Sequence, residues 1–359
     1  MKDYISVKKA SEILQVTPHY IRKLVRDGKI NGHQIEKSNR WEIERKSLNS
    51  YLKTDIYNQD LASFRLPQQI TIKEAVENIE DVFEADVITY IMNSNLGGII
   101  EPNDALQLDN LLSTMSPRIK GRNNKKFKKI LLVVDSGGGI IEAAIKFASI
   151  IKTYANVFEV VVPVFAKSAA TILCLEADKL YMTTVSELGP IDPIVQSPTN
   201  PMLRVPASSI RQFIDQYGRE LKDTDKTPLD EILLKKLNIT VDPYLLGAYR
   251  TAENFAEDEL IECLSKYYLD KNQLKRIKEL FLHKKSHSYP ILFEDIKEFG
   301  ISERISEEVK LGSIKILISV FNNFMNSQNI IKIIGNRDQN QNTAIAPEQI
   351  KQRLIQTGN

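Results

Sequence analysis

The sequence predicts an α/β protein with a mostly parallel sheet, preceded by a small basic module. From residue 85 onward, short apolar runs typical of buried strands alternate with longer helical patterns, as in strands joined by helical crossovers. Two of the strand-to-helix junctions are distinctive, since one holds Gly137–Gly139 and the other holds Ser168. Ligand chemistry in such sheets lies at the carboxyl ends of the strands, so we expect the two junctions to form one site.

The composition is that of a globular protein with a substantial core. Of 359 residues, 42% are apolar and 26% are charged, which excludes a disordered chain. Two cysteines are too few for a disulfide framework, and no apolar run approaches the roughly 20 residues of a membrane-spanning helix. Metal-ligand clusters, a Walker loop and a dinucleotide fingerprint are absent from the sequence. We expect a cytoplasmic protein with no metal, no cofactor and no membrane partner.

The first 53 residues are basic, with twelve Lys and Arg against six Asp and Glu. Ser6 is predicted to cap a first helix, and Thr17 with Pro18 to begin a second. A short β ribbon from Gly32 to Ile43 and a further helix from Ser47 follow. A helix, a tight turn, a basic helix and a β wing are the layout of a module that reads a DNA groove.

Several of these residues carry a family resemblance: Val7 to Leu14, Thr17-Pro18, Ile21, Leu24, Gly28-Lys29-Ile30 and Arg40 to Ile43. They resemble the excisionase type of MerR-like winged helix-turn-helix. The resemblance implies a DNA-binding domain over residues 1–55, with contacts from Tyr20, Arg22, Lys23 and Arg40. The alternative is a basic face that docks on protein. One copy contacts few phosphates, so DNA binding would call for a dimer or larger assembly.

Apolar spacing predicts the elements of the remaining chain in order. The predicted strands are 86–92, 129–134, 158–165 and 179–183. The predicted helices are 71–83, 104–115, 140–155, 169–177, 208–217, 230–237, 244–269, 271–283 and 305–325. We divide the chain into a linker and helix over residues 56–84, the α/β body over 85–330 and a flexible tail over 331–359, because a polar, low-complexity run opens near Gly335.

The serine junction predicts nucleophilic chemistry. A serine between a strand and a helix places its hydroxyl beside backbone N–H groups that favour negative charge. Glycine at position 138 would let the backbone approach a substrate without a Cβ in the way. The two turns together are therefore candidates for an acyl-transfer site, and tight packing is the alternative for either turn alone.

Four motifs carry a second resemblance: Val133 to Gly139, Val164 to Thr171, Leu175 to Asp178, and Glu187 to Pro193. A later run, Ser286 to Ile291 followed by Glu294 to Gly300, extends it. These motifs resemble the serine dehydrogenase proteinase family, which has the Clp-protease/crotonase-like fold and is related to signal peptide peptidase A. The resemblance implies an α/β body with a helical C-terminal part, a peptide or protein substrate and a homo-oligomer. It assigns Ser168 as the nucleophile and the N–H groups of Gly138 and Ala169 as the oxyanion hole.

The general base is less clearly marked in the sequence. Histidine suits this role at neutral pH, and among the four histidines His287 lies in the family signature. Packing of the following residues is the alternative explanation of that signature. Asp192 is a candidate to orient the base, to shape the substrate pocket or to cap a turn. Asp135 would disfavour an oxyanion unless its carboxylate points away.

These observations favour a DNA-tethered serine peptidase. A catalytically inactive DNA-binding regulator, which keeps the Clp-like body as an oligomerisation scaffold, is the alternative. An acyl-CoA enzyme also fits the superfamily, but no cluster for the CoA phosphates is evident.

Overall fold

The structure is a computed structural model of the chain. The structure describes residues 3–14, 18–35, 40–52, 70–93, 96–115, 126–196, 204–222, 243–267, 269–282, 288–338 and 340–344. Within these residues no helix combines the length and the apolar character needed to cross a membrane.

Among the residues described here, three helices and a small antiparallel sheet form the N-terminal unit. The strands are β1 (Tyr4–Ser6), β2 (Gly32–Gln34) and β3 (Trp41–Glu44), in the order β1-β3-β2. The helices are α1 (Val7–Leu14), α2 (Pro18–Arg26) and α3 (Arg45–Leu52). The Ser6 hydroxyl accepts the Lys9 N–H at 3.2 Å and so caps α1, as predicted. The assignment of this unit to the winged helix-turn-helix class stays a prediction.

A seven-stranded sheet forms the centre of the body. Its strands are β4 (Asp86–Met92), β5 (Ile130–Asp135), β6 (Phe158–Val162), β8 (Lys179–Met182), β13 (Glu303–Arg304), β14 (Ile330–Gly335) and β15 (Asn340–Ala344). They follow the order β13-β8-β6-β5-β4-β14-β15. The first five are parallel to one another, β14 pairs antiparallel with β4, and β15 pairs antiparallel with β14. The mixed α/β class predicted from the sequence is therefore present.

The sheet is buried on both faces because helices cover each side. The helices described in the body are α4 (Ile72–Phe83), α5 (Pro102–Met115), α6 (Ile141–Tyr154), α7 (Ala169–Leu175), α8 (Ala207–Lys222), α9 (Pro243–Leu264), α10 (Lys271–Phe281), α11 (Phe293–Ile296) and α12 (Glu308–Gln328). Along β5, Leu132 and Val134 join the core beneath α5, α6 and α7, whereas Leu131 and Val133 join the core beneath α4 and α12. A strand buried on both sides reads as a continuous apolar run, and this made β5 easy to predict.

Two smaller sheets lie beside the main one. The short strands β7 (Phe165–Ala166), β9 (Glu187–Leu188) and β12 (Ile291–Leu292) pair in the order β12-β9-β7, and β10 (Ile194–Gln196) pairs with β11 (Arg204–Pro206). The predicted strand 158–165 is therefore two strands in two sheets. The chain leaves the main sheet after Val162 and carries Ser168 beside the strand that ends in Asp135.

The prediction of a flexible tail from residue 331 is wrong for residues 331–338 and 340–344. Strand β14 pairs with β4 through Lys332 and Met92, and β15 closes that edge of the sheet. The missed signal is the run Ile330–Ile334, which a single lysine interrupts. That lysine is buried and ion-paired, so the interruption does not prevent a strand. Residues 345–359 and the predicted helix 230–237 lie outside the described residues.

Candidate active site

The two predicted turns meet at the carboxyl edge of the sheet. Ser136 donates its N–H to the Phe165 carbonyl at 3.1 Å, and its own carbonyl accepts the Lys167 N–H at 3.0 Å. These two bonds fasten the glycine turn after β5 to the serine turn after β7. Parallel pairing thus brings together two segments that are some 30 residues apart in the chain.

Ser168 adopts a backbone conformation that L-residues rarely occupy. Its φ is 52° and its ψ is −123°, at the N-cap position of α7. Non-glycine residues in such regions cost about 1–3 kcal/mol and cluster at active sites. The hydroxyl makes no capping bond to α7, and the residue is only 6% exposed. Strained strand-to-helix turns of this kind present the nucleophilic serines of α/β-hydrolase folds.

Gly138 lies directly against Ser168. Its φ is 103°, and a Cβ at this position would lie 2.8 Å from Ser168 Cβ, 3.2 Å from Ala169 N and 2.5 Å from the Lys167 carbonyl oxygen. Only glycine fits so close to another backbone at such a φ. The three residues that the sequence assigned to nucleophile and oxyanion hole therefore lie side by side.

The glycine turn is supported on its other side by residues 98–101. Ile100 donates its N–H to the Gly138 carbonyl at 2.9 Å and accepts the Ile140 N–H at 3.0 Å. The buried Lys332 bonds the Ile99 carbonyl at 3.1 Å and pairs with Asp104 at 2.6 Å. Sequence reasoning missed this lysine because its partners lie more than 200 residues away in the chain.

Most of the body matches a known protein family. A sequence profile of the ClpP-like SDH-type serine proteinases matches residues 117–345, which is more than half of the chain. The chain belongs to this family. The match includes the glycine turn, Ser168, Asp192 and strands β14 and β15.

The chain is also similar to individual proteins, at identities of 29% or less. The uncharacterized protein MJ0137 of Methanocaldococcus jannaschii is 29% identical over 186 residues, which are 51% of this chain and 57% of that protein. A second uncharacterized protein of the same organism, MJ1495, is 25% identical over 170 residues, covering 47% and 50%. The chain thus spans about half the length of these relatives. Among solved structures, a mutant of the 1510-N membrane-bound stomatin-specific protease is similar, with 12% sequence identity and a TM-score of 0.36. The superposition covers 65% of this chain and 81% of that protein's chain.

Two further side chains hold the serine turn in place. Lys167 pairs with Glu187 at 2.6 Å, and its Nζ also lies 3.3 Å from the Ser288 carbonyl. The Thr171 hydroxyl lies within 2.9 Å of the Ala166 carbonyl and 2.8 Å of the Gly189 carbonyl. The Lys167 side chain is therefore held against β9 by its ion pair with Glu187.

Of the two residues predicted to act with Ser168, the structure describes Asp192 but not His287. His287 lies outside the described residues, but the next residue, Ser288, is the one that Lys167 contacts. Asp192 is buried and accepts the Ser208 N–H at 2.8 Å and the Ser208 hydroxyl at 2.5 Å. These bonds cap the first turn of α8, which agrees with the capping alternative for Asp192.

Asp135 is a buried carboxyl at the end of β5. Burial raises its pKa from 3.8 to about 7, while a hydrogen bond from the Phe165 N–H acts in the opposite direction. Its Oδ1 has no hydrogen-bond partner among the described residues. The raised pKa means that much of this carboxyl is uncharged at neutral pH. The repulsion between Asp135 and an oxyanion, which the sequence led us to expect, is therefore weaker.

The N-terminal unit does not present all of its predicted DNA contacts to solvent. Tyr20 is buried in the core of the unit, Lys23 is half-buried and Arg40 is exposed. Arg22 is 3% exposed and points into the body. The expectation that Tyr20 and Arg22 lie on an open basic face is therefore corrected.

Arg22 instead joins the N-terminal unit to α4. Its guanidinium donates to the Glu77 carbonyl at 2.6 Å and to Asn78 Oδ1 at 3.3 Å, and it pairs with the Asp81 carboxylate. A further ion pair joins Arg26 to Glu74 at 3.6 Å. The predicted reading helix thus packs against an acidic helix of the same chain.

Proposed function

We propose that this protein is a serine peptidase in which Ser168 attacks a peptide carbonyl. The observation that carries the proposal is the position of Gly138, which lies against both Ser168 Cβ and the Ala169 amide. Membership in a serine proteinase family adds support. Backbone N–H groups fixed beside a nucleophile stabilise the charge that develops on the carbonyl oxygen, and one such donor is worth about 100- to 1,000-fold in rate.

The proposed reaction has two stages. A base takes the Ser168 hydroxyl proton as Oγ bonds to the carbonyl carbon, and the oxygen becomes an anion beside the N–H groups of Gly138 and Ala169. The intermediate then collapses, the C–N bond breaks, the amine leaves with the proton, and Ser168 carries the acyl group. Water attacks that ester with the same base and releases the acid.

We propose His287 as that base. The support is indirect: Ser288 contacts Lys167, which directly precedes Ser168, and β12 continues into the sheet that contains β7. Asp192 is proposed to hold the start of α8, because its two carboxylate oxygens accept the Ser208 N–H and the Ser208 hydroxyl.

A fluorophosphonate probe tests the nucleophile and the base. Ser168 Oγ would displace fluoride at phosphorus and leave a stable adduct. We expect labelling of the native protein and none for Ser168→Ala, whereas Ser149→Ala on the exposed side of α6 keeps native labelling. His287→Ala should slow labelling at least about 100-fold, as expected for loss of a general base, and His283→Ala is the matched control. A native protein that never labels would refute the peptidase.

We propose a homo-oligomer as the working form. Ile99 and Ile140 beside the glycine turn are exposed at 50% and 42%, and Leu106 on α5 is exposed at 59%. Contacts with a second copy would cover them. Light scattering after gel filtration measures the mass directly, and a monomer at micromolar concentration would contradict this proposal.

For the N-terminal unit we favour docking on protein, and keep DNA binding as the second candidate. Docking is favoured because Arg22 is already paired with Asp81. DNA binding is favoured by the basic charge excess and by the sequence resemblance, but Arg22 would have to leave α4 first. Salt-dependent binding of duplex DNA that weakens in Arg40→Ala would support the DNA role. If the protein does not bind duplex DNA at low salt, docking on protein remains as the role of the N-terminal unit.

A further inference from the structure

The amide proposed to hold the oxyanion already has an acceptor. Gly138 donates its N–H to Ser136 Oγ at 3.1 Å. Ser136 is fully buried, and its own hydroxyl lies 2.9 Å from Met92 Sδ. An N–H directed at Ser136 is not fully available to the space beside Ser168. The described arrangement therefore has a half-occupied oxyanion hole.

The Ser136 hydroxyl is the part of this arrangement that can change. Its backbone is fixed on both sides, because its N–H bonds Phe165 and its carbonyl accepts from Lys167. Rotation about its χ1 would give up a bond to a thioether sulfur, which is a weak acceptor. A carboxylate or oxyanion binds an N–H about twice as strongly as a neutral hydroxyl does. A developing oxyanion can therefore take the Gly138 N–H from Ser136.

We propose that Ser136 gates the oxyanion hole. Its hydroxyl satisfies the Gly138 N–H in the resting protein and releases it when negative charge forms on the substrate oxygen. The proposal rests on the proposed peptidase function and makes Ser136 a positioning residue, since it acts through Gly138. The resting protein thereby avoids an unsatisfied buried amide, and acylation proceeds against one competing hydrogen bond.

Removal of the Ser136 hydroxyl distinguishes a gating role of this residue from a purely structural one. In Ser136→Ala the amide has no resting acceptor, so the oxyanion no longer competes. We expect Ser168 to label about threefold to tenfold faster with the fluorophosphonate, which is the effect of one ordinary hydrogen bond, and the melting temperature to fall. Ser136→Thr keeps a hydroxyl and should label at the native rate. Faster reaction in a less stable protein is not expected from a merely structural role.

Hydrogen exchange of the amide tests the resting bond without catalysis. In protein labelled with ¹⁵N-glycine, the Gly138 amide should be protected in the native chain and in Ser136→Thr, and should lose at least about tenfold in protection in Ser136→Ala, as expected for loss of a hydrogen bond. Unchanged protection would overturn the gate.

The labelling outcomes distinguish the two proposals. If the native protein labels and Ser136→Ala labels more slowly or at the same rate, the gate is wrong and the peptidase stands. If neither protein labels although protection at Gly138 changes as expected, the peptidase is wrong, and the gate falls with it.

Discussion

Replacement of Gly138 by alanine gives the sharpest test of the oxyanion hole. The new Cβ would lie 2.5 Å from the Lys167 carbonyl oxygen and 2.8 Å from Ser168 Cβ, and backbone atoms cannot move aside as a flexible side chain can. The φ of 103° adds strain of about 1–3 kcal/mol for a residue other than glycine. The turn must therefore shift and carry the Gly138 N–H away from the space beside Ser168.

The expected effect is a loss of reaction larger than the loss of stability. Displacing one oxyanion donor lowers the rate by about 100- to 1,000-fold, so fluorophosphonate labelling of Gly138→Ala should fall at least 100-fold. Strain of the size given above should lower the melting temperature by several degrees, which thermal unfolding measures.

The adjacent glycine supplies the matched control. A Cβ on Gly137 would meet nothing within 4 Å, so Gly137→Ala should label at nearly the native rate. Native labelling by a folded Gly138→Ala would refute the reasoning, because the amide could then not be essential. Equal losses in the two variants would also refute it, since the close approach is present only at position 138.

Two further predictions concern buried charges. Since the pKa of Asp135 is raised to about 7, its contribution to stability is full below pH 4 and is lost as pH rises through 7. Relative to the native protein, Asp135→Asn should therefore gain stability as the pH rises from 4 to 8. The gain should reach about 4 kcal/mol, at about 1.4 kcal/mol per pKa unit. A difference in free energy of unfolding that stays constant with pH, measured by urea unfolding, would contradict this. Arg22→Met should cost about 3 kcal/mol because it leaves the partly buried Asp81 carboxyl unpaired. Adding Asp81→Asn should restore part of that loss, and strictly additive losses in chemical unfolding would show that the pair does not join the two units.

Much of the body could be predicted from apolar periodicity. The strand Asp86–Met92 was predicted with its observed bounds, and the helix predicted over 71–83 is Ile72–Phe83 with Thr71 as its cap. Periodicity works here because each segment reports which of its faces is buried. It failed at Ile330–Gly335, because the sequence does not show that Lys332 has Asp104 as a buried partner.

The candidate site shows the same division. The resemblance to the proteinase family assigned roles to Gly138, Ser168 and Ala169, whereas residue types alone indicated only that a glycine turn and a serine turn at strand ends suit acyl transfer. They did not identify Ser136, although a hydroxyl two residues before a turn amide is a common acceptor for it. They also placed Arg22 on an open surface, because a basic helix looks the same whether nucleic acid or an acidic helix covers it.

By itself the sequence determined the local elements of this protein, the residue types at its two turns and its resemblance to a proteinase family, since these depend on neighbouring residues. Only the tertiary structure decided that Gly138 touches Ser168, that Ser136 occupies the Gly138 amide, and that Arg22 is buried against α4. Such contacts join residues tens to hundreds of positions apart, and their energies depend on burial and on partners that no local pattern records.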